Sequence, residues 1–136
     1  MAEGCNVSAV DASPAMVAAF RQRFPLARVA CEPVEVSSFF NSTFHGIVAV
    51  GLLFLLPAYG QRVLIHRVSA ALQPGGRFLF TAPVQAVAWK DTFMGGHCVS
   101  LGDEEYRRAL AAAGLHVVGE FVDEGESHYY DACRMG

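Results

Sequence analysis

Val7-Ser8-Ala9-Val10-Asp11 is a short, largely apolar run that ends in a carboxylate, and Ser13-Pro14 follows two residues later. The run reads as a buried strand. Ser13 reads as a helix N-cap, with Pro14 at the first helical position, where a missing N–H costs nothing. A strand that stops at an acid and turns at once into a helix is half of a βα unit. In nucleotide-binding α/β folds an acid at that tip accepts hydrogen bonds from the ribose hydroxyls. A glycine-rich strand-to-helix turn normally stands about 20 residues before it. Here the acid is the eleventh residue, so the expectation is a domain truncated at its N-terminus, starting just after that turn.

The rest of the chain alternates strands and helices. The first strand is expected at about 6–11 and its helix at about 14–24, with Met16, Val17, Phe20 and Phe24 inward at helical spacing and Pro25 ending it. A short strand at 27–31 precedes the loop Glu32-Pro33-Val34-Glu35. Residues 47–50 form a continuous apolar strand, which predicts burial on both faces, as in a parallel sheet. A helix at about 59–73 turns Leu64, Ile65, Val68 and Leu72 inward, leaving Arg62, His66, Ser69 and Gln73 outside. Pro74-Gly75-Gly76 is expected to close that helix with a left-handed glycine and feed a strand at 77–81. A long loop at 82–102 then carries Trp89, Asp91, Phe93 and His97. A helix at 103–113 ends at Gly114, and strands at about 115–122 and 127–133 flank Asp123-Glu124-Gly125-Glu126. On the last strand, alternation should bury one of Tyr129 and Tyr130 and expose the other. The pattern predicts an α/β fold: a mostly parallel, doubly wound sheet with a C-terminal antiparallel hairpin, within one partial domain spanning 1–136.

Composition removes several function classes. With 53% hydrophobic and 17% charged residues the chain can bury a core, and 10 basic against 13 acidic residues give a net charge of −3. Lys90 is the only lysine, so nothing favours nucleic acid. The longest apolar run, 46–56, is too short to span a bilayer and stops at Pro57. No basic-then-apolar leader opens the chain, and Cys5, Cys31, Cys98 and Cys133 are scattered without C-x-x-C spacing. These features lead us to expect a cytoplasmic protein with reduced thiols, no metal site and no membrane segment.

Four segments carry a resemblance. Asp11-Ala12-Ser13-Pro14-Ala15-Met16 resembles the acid motif after the second strand of class I S-adenosylmethionine-dependent methyltransferases. Phe44-His45-Gly46-Ile47-Val48-Ala49 is similar to their fourth-strand motif, with His45 where aspartate is usual. Leu72-Gln73-Pro74-Gly75-Gly76-Arg77-Phe78-Leu79-Phe80 resembles the L-x-P-G-G approach to their fifth strand, and Ala112-Ala113-Gly114-Leu115 the turn before their sixth. The four stand in the family's order and cover nearly the whole chain. The first strand and its E/D-x-G-x-G-x-G loop are not among these residues. Gly75-Gly76 lies between a helix and a strand, and no clear helix follows Gly95-Gly96 directly.

The resemblance implies a Rossmann-like sheet with its first strand missing. It assigns Asp11 and Ala12 to the cofactor ribose, Glu32, Pro33 and Val34 to the adenine border, and Gly51 and Leu52 to the strand end below the sulfonium. Trp89, Asp91, Phe93 and His97 would shape a small-molecule acceptor pocket, with His97 a candidate general base. Without the glycine-rich loop, binding of S-adenosylmethionine is expected to be weak or absent in this chain alone. The slot left by the first strand predicts either direct pairing of its two neighbours or, favoured here, a homodimer burying residues 47–56. Two other readings were weighed. A Tyr-x-x-x-Lys nicotinamide dehydrogenase is excluded, because Ala86 stands four residues before Lys90. A non-enzymatic, truncated methyltransferase-like domain that folds by self-association and binds no cofactor is the alternative.

Overall fold

The computed structural model describes residues 8–11, 14–23, 25, 28–32, 39, 43–90 and 96–135. The chain divides into two compact units, Met1–Asn41 and Ser42–Gly136. In the first, strand β1 (Ser8–Asp11), helix α1 (Pro14–Arg23) and strand β2 (Arg28–Cys31) form a βαβ unit. The two strands run parallel, Ser8 opposite Arg28 and Asp11 opposite Cys31. Helix α1 buries Val17, while Met16 is 59% exposed and Phe20 half-buried. The inward stripe among the described residues is therefore narrower than the spacing suggests, because the described sheet of this unit offers α1 two strands, β1 and β2, to cover. Phe24 lies outside the described residues.

The second unit holds strand β3 (Phe44–Ala49), helix α2 (Ala58–Ala71), strands β4 (Leu72–Thr81), β5 (Ala86–Lys90) and β6 (His97–Leu101), helix α3 (Asp103–Ala112), and strands β7 (Leu115–Val122) and β8 (His128–Arg134). Its main sheet has the order β3-β4-β8-β7. Strand β3 is parallel to β4, and β8 lies antiparallel between β4 and β7, as expected of the C-terminal hairpin. Register sets the core: Ile47 lies opposite Phe78, Phe78 opposite Ala132, and Phe80 opposite Tyr130. Phe78, Phe80, Ala132 and Tyr130 are fully buried, as are Tyr106 and Leu110 from α3 and Ile65 from α2. Phe80 stacks on Tyr130 at 5.1 Å and meets Tyr106 edge-on at 5.7 Å. Full burial of Phe78, Phe80, Leu110 and Ile65 contributes roughly 1.5–3 kcal/mol each. Tyr130 donates to Asp103 at 3.1 Å, and burial pushes its phenol well above the usual tyrosine range.

Four sequence expectations change. Strand β3 is buried on one face only: Ala49 is buried, while Val48 is 65% exposed. Among the described residues it stands at the edge of the sheet, and the core lies on the face shared by Phe78, Phe80 and Tyr130. Helix α2 ends at Ala71 without a left-handed glycine cap: the Leu72 N–H bonds the Ser69 carbonyl, and the Leu72 carbonyl accepts from the Arg134 guanidinium. Gly75, at φ +79°, instead sits in a bulge where β4 runs from Leu72 to Arg77 while β3 advances only from Phe44 to Gly46. Ser69, expected outside, is buried and donates to the Ala113 carbonyl at 2.6 Å, because the end of α3 reaches that side of α2.

The fourth change is the largest. Residues 82–102 are not a long loop: β5 and β6 pair antiparallel from Ala86 opposite Leu101 to Lys90 opposite His97. Gln61 of α2 is fully buried and donates to the carbonyls of Val99 at 2.6 Å and Leu56 at 2.9 Å, while Tyr106 donates to its side-chain oxygen at 2.6 Å. Replacing Gln61 by Leu strands these partners in a dry site. The expected loss in denaturant melts is about 1–3 kcal/mol, with faster amide exchange in β6 than in β8.

Candidate functional site

In open α/β sheets, ligands bind outside the carboxyl ends of the parallel strands, where turns present backbone and side-chain polar groups. The candidate residues that the structure describes before the hairpin occupy such ends. In the first unit Asp11 is the last residue of β1, and Glu32 follows β2 directly. Because Asp11 pairs with Cys31, the two positions stand at the same end of that small sheet. Glu32 is half-buried. Ala12, Pro33 and Val34 lie outside the described residues.

In the second unit the chain leaves β3 through Val50 and Gly51. Gly51 takes φ +67°, a left-handed conformation that glycine adopts without steric cost. Its N–H donates to the Thr81 hydroxyl at 2.7 Å. Thr81 closes β4, so this bond ties together the carboxyl ends of two neighbouring parallel strands. Leu52 is half-buried, and fully buried Leu53 seats the short 3-10 turn Leu53–Leu55 that follows. Thr81 was not singled out from the sequence. Its only signal there is its place as the last residue of a strand after an L-x-P-G-G segment.

The acceptor-side candidates separate. Trp89 lies on β5, half-buried, its ring 5.5 Å from that of Phe54 and tilted by 39°. His97 is exposed, opposite Lys90 on the hairpin, one position on from the Trp89–Cys98 pair. Successive strand residues face opposite sides, so Trp89 and His97 do not converge. Among the described residues nothing orients the imidazole as a base would need. Asp91 and Phe93 lie outside the described residues.

A polar cluster that sequence reasoning missed stands at the same end of the main sheet, since the Ala82 N–H donates to the His128 carbonyl at 3.1 Å. Arg107 meets Asp103 at 3.1 Å and Glu120 at 2.6 Å, and Glu120 also meets His128 at 3.0 Å. The bond to Asp103 holds the Arg107 guanidinium above its ordinary range, further supported by Glu120. Arg107 bridges the two carboxylates, and Glu120 reaches His128, so the cluster ties α3 to β7 and β8. Among the described residues no group of His, Cys, Asp and Glu could hold a metal, and no helix is long and apolar enough to cross a membrane.

The Gly51–Thr81 bond is open to test. Thr81→Val keeps the shape and removes the acceptor. It should cost about 1 kcal/mol in denaturant melts and speed amide exchange at residues 51–53, whereas Thr81→Ser should restore both.

Comparison with known proteins places this geometry. A family profile described as methyltransferase domain matches residues 1–76. No curated protein matches the chain by sequence. Among solved structures, an S-adenosylmethionine-dependent methyltransferase from Clostridium acetobutylicum superposes with TM-score 0.76 at 16% identity, covering 97% of this chain and 76% of that one. An S-adenosylmethionine-bound amino pentose methyltransferase from Micromonospora echinaspora gives 0.78 at 19%, over 96% and 74%. The 1,6-didemethyltoxoflavin-N1-methyltransferase of Burkholderia thailandensis, with its namesake compound and S-adenosylhomocysteine bound, gives 0.79 at 20%, over 99% and 64%. At these identities the likeness is one of fold, and it agrees with the Rossmann-like architecture expected from the sequence. The profile spans more than half of the chain, and with it the conclusion follows: the chain belongs to the methyltransferase domain family.

Proposed function

We propose that the two units act as one domain, in the cytoplasm, to transfer a methyl group from S-adenosylmethionine to a small-molecule acceptor. The observation that carries this reading is the acid at the carboxyl end of β1, level with the end of β2, in a chain of this family. Support for one domain comes from the family profile, which runs across the boundary between the units. Support for a small acceptor comes from the amino pentose and didemethyltoxoflavin enzymes of like fold.

The residues fit one half of the cofactor. The carboxylate of Asp11 accepts where ribose hydroxyls donate, with Ala12 beside it. Glu32, Pro33 and Val34 border the adenine. The family resemblance assigns Gly51 and Leu52, on the turn that Thr81 holds, to the strand end below the sulfonium. The sequence contains no glycine-rich strand-to-helix turn, so these residues provide none of that turn's contacts to the amino-acid half. When bound, S-adenosylmethionine supplies a methyl group already activated on sulfur. The protein's part is to align the acceptor and exclude water, which needs no dedicated catalytic side chain. Trp89, with Asp91 and Phe93, forms the acceptor side of this proposal; His97, on the opposite face of the hairpin, stands outside it.

A second copy completes the assembly in this reading. Among the described residues no strand pairs with the outer side of β3, which stands at the edge of its sheet, and an open strand edge favours pairing with another chain. Light scattering at micromolar concentration should give a dimer; a monodisperse monomer overturns that part.

The cofactor reading is tested by calorimetry of this chain with S-adenosylhomocysteine. Charge-assisted hydrogen bonds are each worth roughly 1.5–3 kcal/mol, so lacking several lowers affinity by orders of magnitude. The expected result is weak binding that Asp11→Ala abolishes. Submicromolar binding, or binding indifferent to Asp11→Ala, overturns the assignment.

A further inference from the structure

We infer that Phe54 and Trp89 form a fixed aromatic wall that selects a planar aromatic acceptor. The inference rests on the methyltransferase reading above and narrows its substrate class. The two residues come from the segments that follow the carboxyl ends of β3 and β4, neighbouring parallel strands, which is where an α/β sheet receives its ligand. Their rings are 5.5 Å apart and tilted by 39°, and both side chains are half-buried, so each ring keeps accessible surface. Val87 lies two residues before Trp89 on the same face of β5 and is itself exposed. Lys90, next to Trp89, falls on the opposite face. The wall is therefore apolar and uncharged.

A tryptophan ring normally enters an interior with its N–H hydrogen-bonded. Among the described residues the Trp89 indole N–H has no such partner, and it remains available to an acceptor atom on a ligand. A flat ring placed against Phe54 and Trp89 gains offset or edge-on contact with both. A saturated ring of the same size gains only covered area.

The wall is held in place by its neighbours. Cys98 and Ser100 of β6, opposite Trp89 and Val87 and so on the same face, are buried; Gln61 donates to the Val99 carbonyl, and the Ser100 hydroxyl donates to the Pro83 carbonyl at 2.7 Å. At the base of the hairpin the Asp103 N–H donates to the Val84 carbonyl at 2.8 Å. There Gly102, at φ +89°, approaches Ala86 so closely that a Cβ would stand 2.9 Å from the Ala86 nitrogen. These ties fix the strand that carries Trp89, so the hairpin serves as a wall and not as a closing lid.

Trp89 is the chain's only tryptophan, so one indole N–H signal in a nitrogen-15 spectrum reports on the wall directly. The experiment titrates the full chain, with and without S-adenosylhomocysteine, using 2-naphthol and its saturated counterpart decahydro-2-naphthol. The expected result is a saturable shift of the indole signal by 2-naphthol, with affinity roughly five- to tenfold above that of the saturated probe, the range that aromatic pairing supports. Phe54→Leu should remove most of that preference and leave calorimetric S-adenosylhomocysteine binding unchanged. Phe54→Tyr, which keeps the ring, should retain the preference and decides the matter if Phe54→Leu does not fold. Equal affinity for the two probes, or no saturable shift, overturns the inference. Binding of S-adenosylhomocysteine without selective binding of 2-naphthol sinks the wall alone. Selective 2-naphthol binding without the nucleoside sinks the methyltransferase reading and leaves the wall standing.

Discussion

The buried amide of Gln61 is the interaction on which the second unit depends. One uncharged side chain joins four parts of the chain: its own helix α2, the Leu56 carbonyl after the 3-10 turn, the Val99 carbonyl of β6, and the Tyr106 hydroxyl of α3. A buried polar group is costly when unpaired and specific when every partner is met. Here the amide donates twice and accepts once, and no buried side-chain polar atom among the described residues lacks a partner. Hydrophobic burial alone would accept several placements of an alternating Ala-Val-Ala-Trp strand. The amide accepts one, because Val99 must present its carbonyl to it.

That placement has consequences for the site. The hairpin follows β4, the 3-10 turn follows β3, and the Gly51–Thr81 bond joins the ends of both strands. The aromatic core beneath, built from Phe78, Phe80, Tyr106 and Tyr130, is stiff because its rings interlock. Turns set on such a base hold their geometry before any ligand arrives. This is what methyl transfer asks of a protein, since alignment of the acceptor supplies much of the acceleration.

Much of the fold was legible because its signals are local. Asp11 and Ser13-Pro14 mark a strand-to-helix junction by their own chemistry. The spacing of Leu64, Ile65, Val68 and Leu72 identifies residues that are all buried, and β7 spans the residues its alternation predicts. The neighbours Tyr129 and Tyr130 divide as a strand's period of two requires: Tyr130 is buried and Tyr129 is partly exposed. The misread elements depend on distant residues. Ser69 is polar on a helix and would face water anywhere that α3 did not end beside it. Pro74-Gly75-Gly76 looks like a helix stop, and only the pairing of β4 with β3 turns it into a bulge. Residues 82–102 carry few strong strand signals, and their hairpin is docked on α2 by Gln61, whose burial nothing in its neighbourhood announces.

The sequence by itself determined the family, the order of elements outside residues 82–102 and the placement of Asp11 and Gly51 at strand ends, because these follow from periodicity, capping and backbone preference over a few residues. Tertiary structure alone decided which polar groups are buried, that residues 86–90 and 97–101 pair as a hairpin, and that Trp89 meets Phe54 while His97 turns away. Those outcomes rest on hydrogen bonds and ring contacts between residues as far apart in the chain as Gln61 and Val99, and no local pattern encodes a partner that distant.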